Sequence, residues 1–167
     1  MNEAGFNTIF VKTVNATGKG VGYKIPDPPK AVAMMSSQRP FDIIFAYDGK
    51  SYFLESKLEK TNFCSFSLLR LAEHQVDWLT KFNNYSGLSG RSLVALCYWE
   101  PRKTFDMFLF DWSFLERLLK EGKKSILKKE ILELRNKEYF TKISQSSFKI
   151  DEALTKIIGE DEWEKRI

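Results

Sequence analysis

Asp42 and the triplet Glu55-Ser56-Lys57 stand on either side of Asp48-Gly49, a strong short signal for a two-residue hairpin turn. With Asp48 and Gly49 as the loop, Tyr47 pairs with Lys50, and continuing the register sets Asp42 opposite Glu55. Opposed residues project to one sheet face with Cα atoms about 4.5 to 5.5 Å apart, and Lys57 shares that face as a diagonal neighbour of Asp42. The neighbours Ile43, Ile44, Phe45, Phe53 and Leu54 are apolar on both faces, so two unpaired carboxylates there would be costly without a cation. Two acidic oxygens and the Ser56 backbone carbonyl suit a hard divalent ion such as Mg²⁺, held at about 2.1 Å. Such an ion polarises a phosphoryl oxygen and acidifies water, while an ammonium such as that of Lys57 orients the attacking water and stabilises developing negative charge. The chemistry implied is phosphodiester hydrolysis. The same residues also allow a purely structural cluster in which Lys57 alone neutralises the acids.

The elements that must position these groups follow from periodicity. Residues 41–47 and 50–57 read as the two strands of the hairpin. Residues 67–82 carry Leu68, Leu71, Ala72, Leu79 and Phe82 on one helical stripe, and Gln75 falls on that stripe where an apolar residue is expected. Gln75 should therefore face the sheet and the site, whereas His74 points away from it. A first helix over 2–14 places Phe6, Ile9, Phe10 and Val14 at helical spacing, and Glu3 shares its buried face as a further acidic candidate ligand. The Gly/Lys run over 16–22 lacks the spacing of a phosphate-binding loop and reads as a flexible basic loop, followed by an extended, proline-stiffened connector over 23–29. Residues 92–99 and 104–110 read as strands, and 112–120 and 126–135 as helices.

Composition narrows the classes. At 167 residues, 43% hydrophobic and 29% charged, the chain fits one domain with a sizeable core. We divide it into 1–22 (helix and basic loop), 23–110 (the sheet and helix of the site) and 111–167 (a helical region). The single histidine, His74, leaves zinc sites and Ser/His or Cys/His triads unsupported, and Cys64 and Cys97 read as buried, reduced thiols. No stretch of about 18 apolar residues and no secretory leader pattern occurs, so a cytoplasmic location without membrane contact is expected. The formal charge of +4 is uneven: residues 101–150 hold 12 basic against 7 acidic side chains, and 151–167 hold 3 against 6. A basic body permits phosphate contacts without demanding them.

Asp42, Glu55-Ser56-Lys57 and Gln75 together resemble the PD-(D/E)XK nuclease site, and in particular that of RecU-type Holliday junction resolvases. The similarity runs from Tyr23-Lys24-Ile25-Pro26 through Phe41-Asp42, Tyr47-Asp48-Gly49-Lys50 and Phe53-Leu54-Glu55-Ser56-Lys57 to Phe66-Ser67-Leu68 and Glu73-His74-Gln75, about half the chain. Arg39-Pro40-Phe41 stands where such enzymes carry hydroxyl residues, and the interval from Pro26 to Asp42 is short for their stalk, which suits a compact, phage-encoded relative. The resemblance implies an α/β (α+β), restriction-endonuclease-like core, a central mixed sheet flanked by helices. It also implies a homodimer that nicks four-way DNA junctions symmetrically, in recombination and repair, with Mg²⁺ or Mn²⁺. Asp42, Glu55 and the Ser56 carbonyl would hold the metal, with Glu3 as an added ligand; Lys57 would assist the water and Gln75 steady the site. Lys12, Lys19, Lys24, Arg39, Lys60 and Arg70 are the candidates for DNA backbone contact. A nuclease acting on duplex or flap DNA, and a non-catalytic DNA-binding module, are the alternatives.

Overall fold

The computed structural model describes residues 2–26, 39–60, 62–85, 90–99 and 105–134. Helix α1 spans Glu3–Ala16; the Asn2 side chain accepts from the Gly5 amide at 2.9 Å and so caps its first turn. Its apolar positions Phe6, Phe10 and Val14 are buried on the sheet. Among the described residues the sheet has five strands in the order β1-β2-β3-β5-β6, with β1 Gly20–Lys24, β2 Ile43–Tyr47, β3 Lys50–Lys60, β5 Gly90–Trp99 and β6 Phe105–Asp111. Only β3 and β5 are parallel among these neighbours. Their connection carries a short strand β4 (Ser65–Ser67), a 3-10 turn over Leu68–Arg70 and helix α2 (Glu73–Asn84). After β6 come α3 (Trp112–Lys120), β7 (Ser125–Leu127) paired antiparallel with β4, and α4 (Lys128–Leu134).

The hairpin register is the one read from Asp48-Gly49: Tyr47 pairs with Lys50 and Ile43 with Leu54. Asp48 and Gly49 have φ of 48° and 76°, the left-handed pair that a two-residue turn between twisted strands requires. On one face, α1 covers Phe45, Tyr52, Leu54, Ala95, Cys97 and Met107. On the other, Leu79 of α2 and Trp112 and Leu115 of α3 cover Val94, Leu96, Phe108 and Phe110. Residues 93–98 of β5 are all buried, which is why that strand reads as a continuous apolar run rather than an alternating one. The expected mixed sheet flanked by helices is what the chain forms.

Several local readings are corrected. Residues 20–22 are not flexible loop but the start of β1, a strand at the end of the sheet order in which Gly20 answers to packing: a Cβ there would lie 2.7 Å from the Ala46 carbonyl oxygen and 2.9 Å from the Tyr47 ring. The helix expected over 67–82 starts only at Glu73. Leu68 and Leu71 are buried from the preceding turn instead, because Phe66 is taken by the β4–β7 pair. Likewise Ile126 belongs to β7, and the helix expected over 126–135 begins at Lys128, with residue 135 outside the described residues. Cys97 is buried as expected, but Cys64 is exposed, since it lies in the connection just before β4. No helix among the described residues is long and apolar enough to cross a membrane.

Candidate active site

Strand β3 brings the Glu55-Ser56-Lys57 triplet through the middle of the sheet, and alternation sends Glu55 and Lys57 to the α2 face and Ser56 to the α1 face. Glu55 is 1% exposed. Its Oε1 accepts from Lys57 Nζ at 2.7 Å and from Gln75 Nε2 at 2.6 Å. Gln75, in the first turn of α2, accepts on its Oε1 from Lys57 Nζ at 3.2 Å and from the Ala72 amide at 3.0 Å. The Gln75 side chain thus caps its own helix and ties that helix to the two charged groups of β3. Its amide orientation is set by these partners, with the oxygen taken by two donors and the nitrogen by a carboxylate. The expectation that Gln75 faces the sheet is met.

Asp42 departs from simple opposition. The ladder ends at the Ile43–Leu54 pair, and the Asp42 amide also donates to the Leu54 carbonyl, at 3.0 Å. The chain leaves strand geometry at this point, and Phe41 packs between Phe53 and Phe82 on the α2 face. The Asp42 carboxylate turns to Ser56: its Oδ2 accepts from the Ser56 amide at 2.9 Å and from the Ser56 hydroxyl at 2.5 Å. The picture of Asp42 squarely facing Glu55 across a ladder pair is therefore corrected, because the strand bends one residue short of it. The two acids still feel one another. Burial first, and the Asp42 charge second, push the Glu55 carboxyl up to about 7 against the pull of Lys57 and Arg39.

Two anionic oxygens are singled out by this network. Glu55 Oε2 is buried and has no hydrogen-bond partner among the described residues. Asp42 Oδ1 is the oxygen not used by Ser56, and it forms an ion pair with Arg39. A buried carboxylate oxygen without a donor is an incomplete arrangement that a cation would complete, and an all-oxygen donor set suits a hard divalent ion. Among the described residues no three His, Cys, Asp or Glu side chains form a metal-binding group. Glu3 is brought to the same strand, but its Oε1 accepts from the Leu58 amide at 3.0 Å and lies 3.7 Å from Arg70.

The basic candidates separate into two groups. Arg39 lies at Asp42, with its Nη1 also 3.4 Å from the Ile25 carbonyl, and Arg70 is held by Glu59 and by the Leu58 carbonyl at 3.2 and 3.3 Å. Lys12 and Lys19 are exposed at α1 and ahead of β1, Lys24 is half-buried across from Ile43, and Lys60 is exposed at the end of β3. Sequence reasoning missed the Ser56 hydroxyl and the Arg39 pairing. The i,i+3 spacing of Arg39 and Asp42 was a signal for the latter, whereas the bend that turns Asp42 onto Ser56 left none.

No protein-family model matches the chain, and no curated protein matches it. Among solved structures it is similar to Hjc, a Holliday junction resolvase from the archaeal hyperthermophile Archaeoglobus fulgidus, with a TM-score of 0.51 and 17% sequence identity over 77% of this chain and 91% of that chain. At such identity the likeness is one of fold, and the five-stranded mixed sheet flanked by helices is accordingly a resolvase-like nuclease fold.

Proposed function

We propose that this chain is a metal-dependent endodeoxyribonuclease of the PD-(D/E)XK kind that resolves four-way DNA junctions, acting as a homodimer in the cytoplasm and related to the RecU type. The observation that carries the reading is that β3 carries two hydrogen-bonded sets, Asp42 with Ser56 and Glu55 with Lys57 and Gln75, on a sheet with the fold of a Holliday junction resolvase. Asp42 Oδ1, Glu55 Oε2 and the Ser56 carbonyl are the oxygens that would hold Mg²⁺ or Mn²⁺. When bound, the ion supplies Lewis acidity toward a phosphoryl oxygen and toward water. Lys57 is held 2.7 Å from Glu55 and 3.2 Å from Gln75, so its ammonium is fixed in direction and can place a water and offset charge growing on the phosphate. Gln75 keeps Lys57 and Glu55 from drifting apart. Ser56 fixes Asp42 by two hydrogen bonds, so that only one of its oxygens is left to face a cation.

The decisive assay compares cleavage of a synthetic four-way junction with linear duplex and flap DNA, with Mg²⁺ or Mn²⁺ and with EDTA. Cutting confined to the junction and dependent on metal is expected; equal cutting of all three substrates would replace the resolvase by a general nuclease. Binding without any cutting would leave only a DNA-binding module. Asp42→Asn, Glu55→Gln and Lys57→Ala should each lower cutting by orders of magnitude and retain junction binding, since backbone contacts are spread over many side chains.

A further inference from the structure

We propose that Arg39 is a resident counter-cation of the metal site: its guanidinium occupies the Asp42 Oδ1 position that a divalent ion would take, so that guanidinium and ion bind there in competition. This rests on the metal-site reading above and concerns how the site is kept closed when no ion is bound. Asp42 Oδ2 is already committed to the Ser56 amide and hydroxyl, which leaves Oδ1 as the free acceptor, and Arg39 holds it. The two side chains differ in access: the Asp42 side chain is 3% exposed and that of Arg39 24%. The acid cannot turn to water, but the guanidinium can withdraw toward it.

The local sequence suits a side chain that changes places. Phe41 is anchored between Phe53 and Phe82, with ring centroids 5.0 and 5.3 Å away, and is 1% exposed. Pro40 follows Arg39 directly and restricts its backbone to extended conformations. Phe41 is therefore fixed, and Arg39, two residues before it, reaches Asp42 through its long side chain. A guanidinium also interacts with Glu55 from this position, since Arg39 is one of the charges that pull the Glu55 carboxyl down. One cation thus serves both acids, as a divalent ion would. Without it, two buried carboxylates would be left to share Lys57, an arrangement the fold would tolerate poorly.

The test measures Mn²⁺ binding to the full chain without DNA, by the loss of the free-ion electron paramagnetic resonance signal, for wild type, Arg39→Gln, Arg39→Lys and Asp42→Asn. Arg39→Gln should bind Mn²⁺ roughly tenfold more tightly than wild type, because no charge has to be displaced. Arg39→Lys, which keeps the charge, should stay within about threefold of wild type. Thermal unfolding gives a second readout: Arg39→Gln should melt below wild type in EDTA and gain more from added Mn²⁺. Wild-type binding that Asp42→Asn abolishes, together with unchanged or weaker binding by Arg39→Gln, would overturn the competition while sparing the metal site. An Arg39→Gln variant that melts lower but gains no more from Mn²⁺ than wild type would mark a structural role and overturn it too. If neither wild type nor Arg39→Gln binds Mn²⁺, the metal-site reading itself falls, and the competition with it.

Discussion

Replacing Glu55 by Gln should make the metal-free protein more stable at alkaline pH while removing its cutting activity. Burial and the neighbouring Asp42 hold the Glu55 carboxyl in its neutral form up to about pH 7, against 4.5 for an unperturbed glutamate. The folded state binds this proton more tightly than the unfolded chain does. Its contribution to stability is therefore complete below pH 4.5 and is lost as pH rises through the interval to about 7. At about 1.4 kcal/mol for each pH unit, the full loss is roughly 3 to 4 kcal/mol, and roughly 2 to 3 kcal/mol of it falls between pH 5 and pH 8. Gln cannot ionise and so lacks this slope, while its amide oxygen can still accept from Lys57 in place of Oε1. Urea denaturation of both proteins in EDTA at pH 5, 6, 7 and 8 isolates the effect, because other titrating groups cancel in the difference. That difference should move in favour of Glu55→Gln by roughly 2 to 3 kcal/mol across the series. Added Mg²⁺ at pH 8 should then stabilise wild type and leave the variant unchanged. A difference independent of pH would refute the reasoning, since Glu55 would then be ionised in the fold at no cost.

Three other outcomes follow from named contacts. Gln75→Ala should reduce cutting and also destabilise the protein by about 1 kcal/mol, because one side chain serves the Glu55–Lys57 pair and the first turn of α2; activity and urea midpoint measure the two parts. Gly20→Ala should cost about 1 to 3 kcal/mol in urea denaturation, since the added Cβ meets the Ala46 carbonyl and the Tyr47 ring; a neutral result would mean that β1 is free to move away. A disulfide-exchange reagent should label one thiol in the native protein and two in denaturant, as Cys64 is exposed while Cys97 is buried with its thiol pushed well above its ordinary range by desolvation.

The hairpin was legible because Asp48-Gly49 dictates both a turn type and a register, and strand alternation carries Glu55 and Lys57 to one face. The helix over Trp112–Lys120 was legible for a similar local reason, a single apolar stripe capped by Asp111, whose side chain accepts from the Ser113 amide. β1 was hidden because its glycines look like loop residues, although Gly20 is set by how closely the strand approaches Ala46 and Tyr47. Leu68 and Leu71 mimicked a helical stripe, although they are buried from a 3-10 turn braced by β7, a partner about 60 residues later in the chain. Within the site, residue types and hairpin spacing determined which acids, which lysine and which glutamine could meet, since these depend on strand alternation and helix period. Only the tertiary structure decided that Asp42 turns onto Ser56, that Glu55 keeps an oxygen without a hydrogen-bond partner among the described residues and that Arg39 pairs with Asp42. Those outcomes depend on a bend beyond the last ladder pair and on burial by α1 and α2, neither of which is encoded by local periodicity.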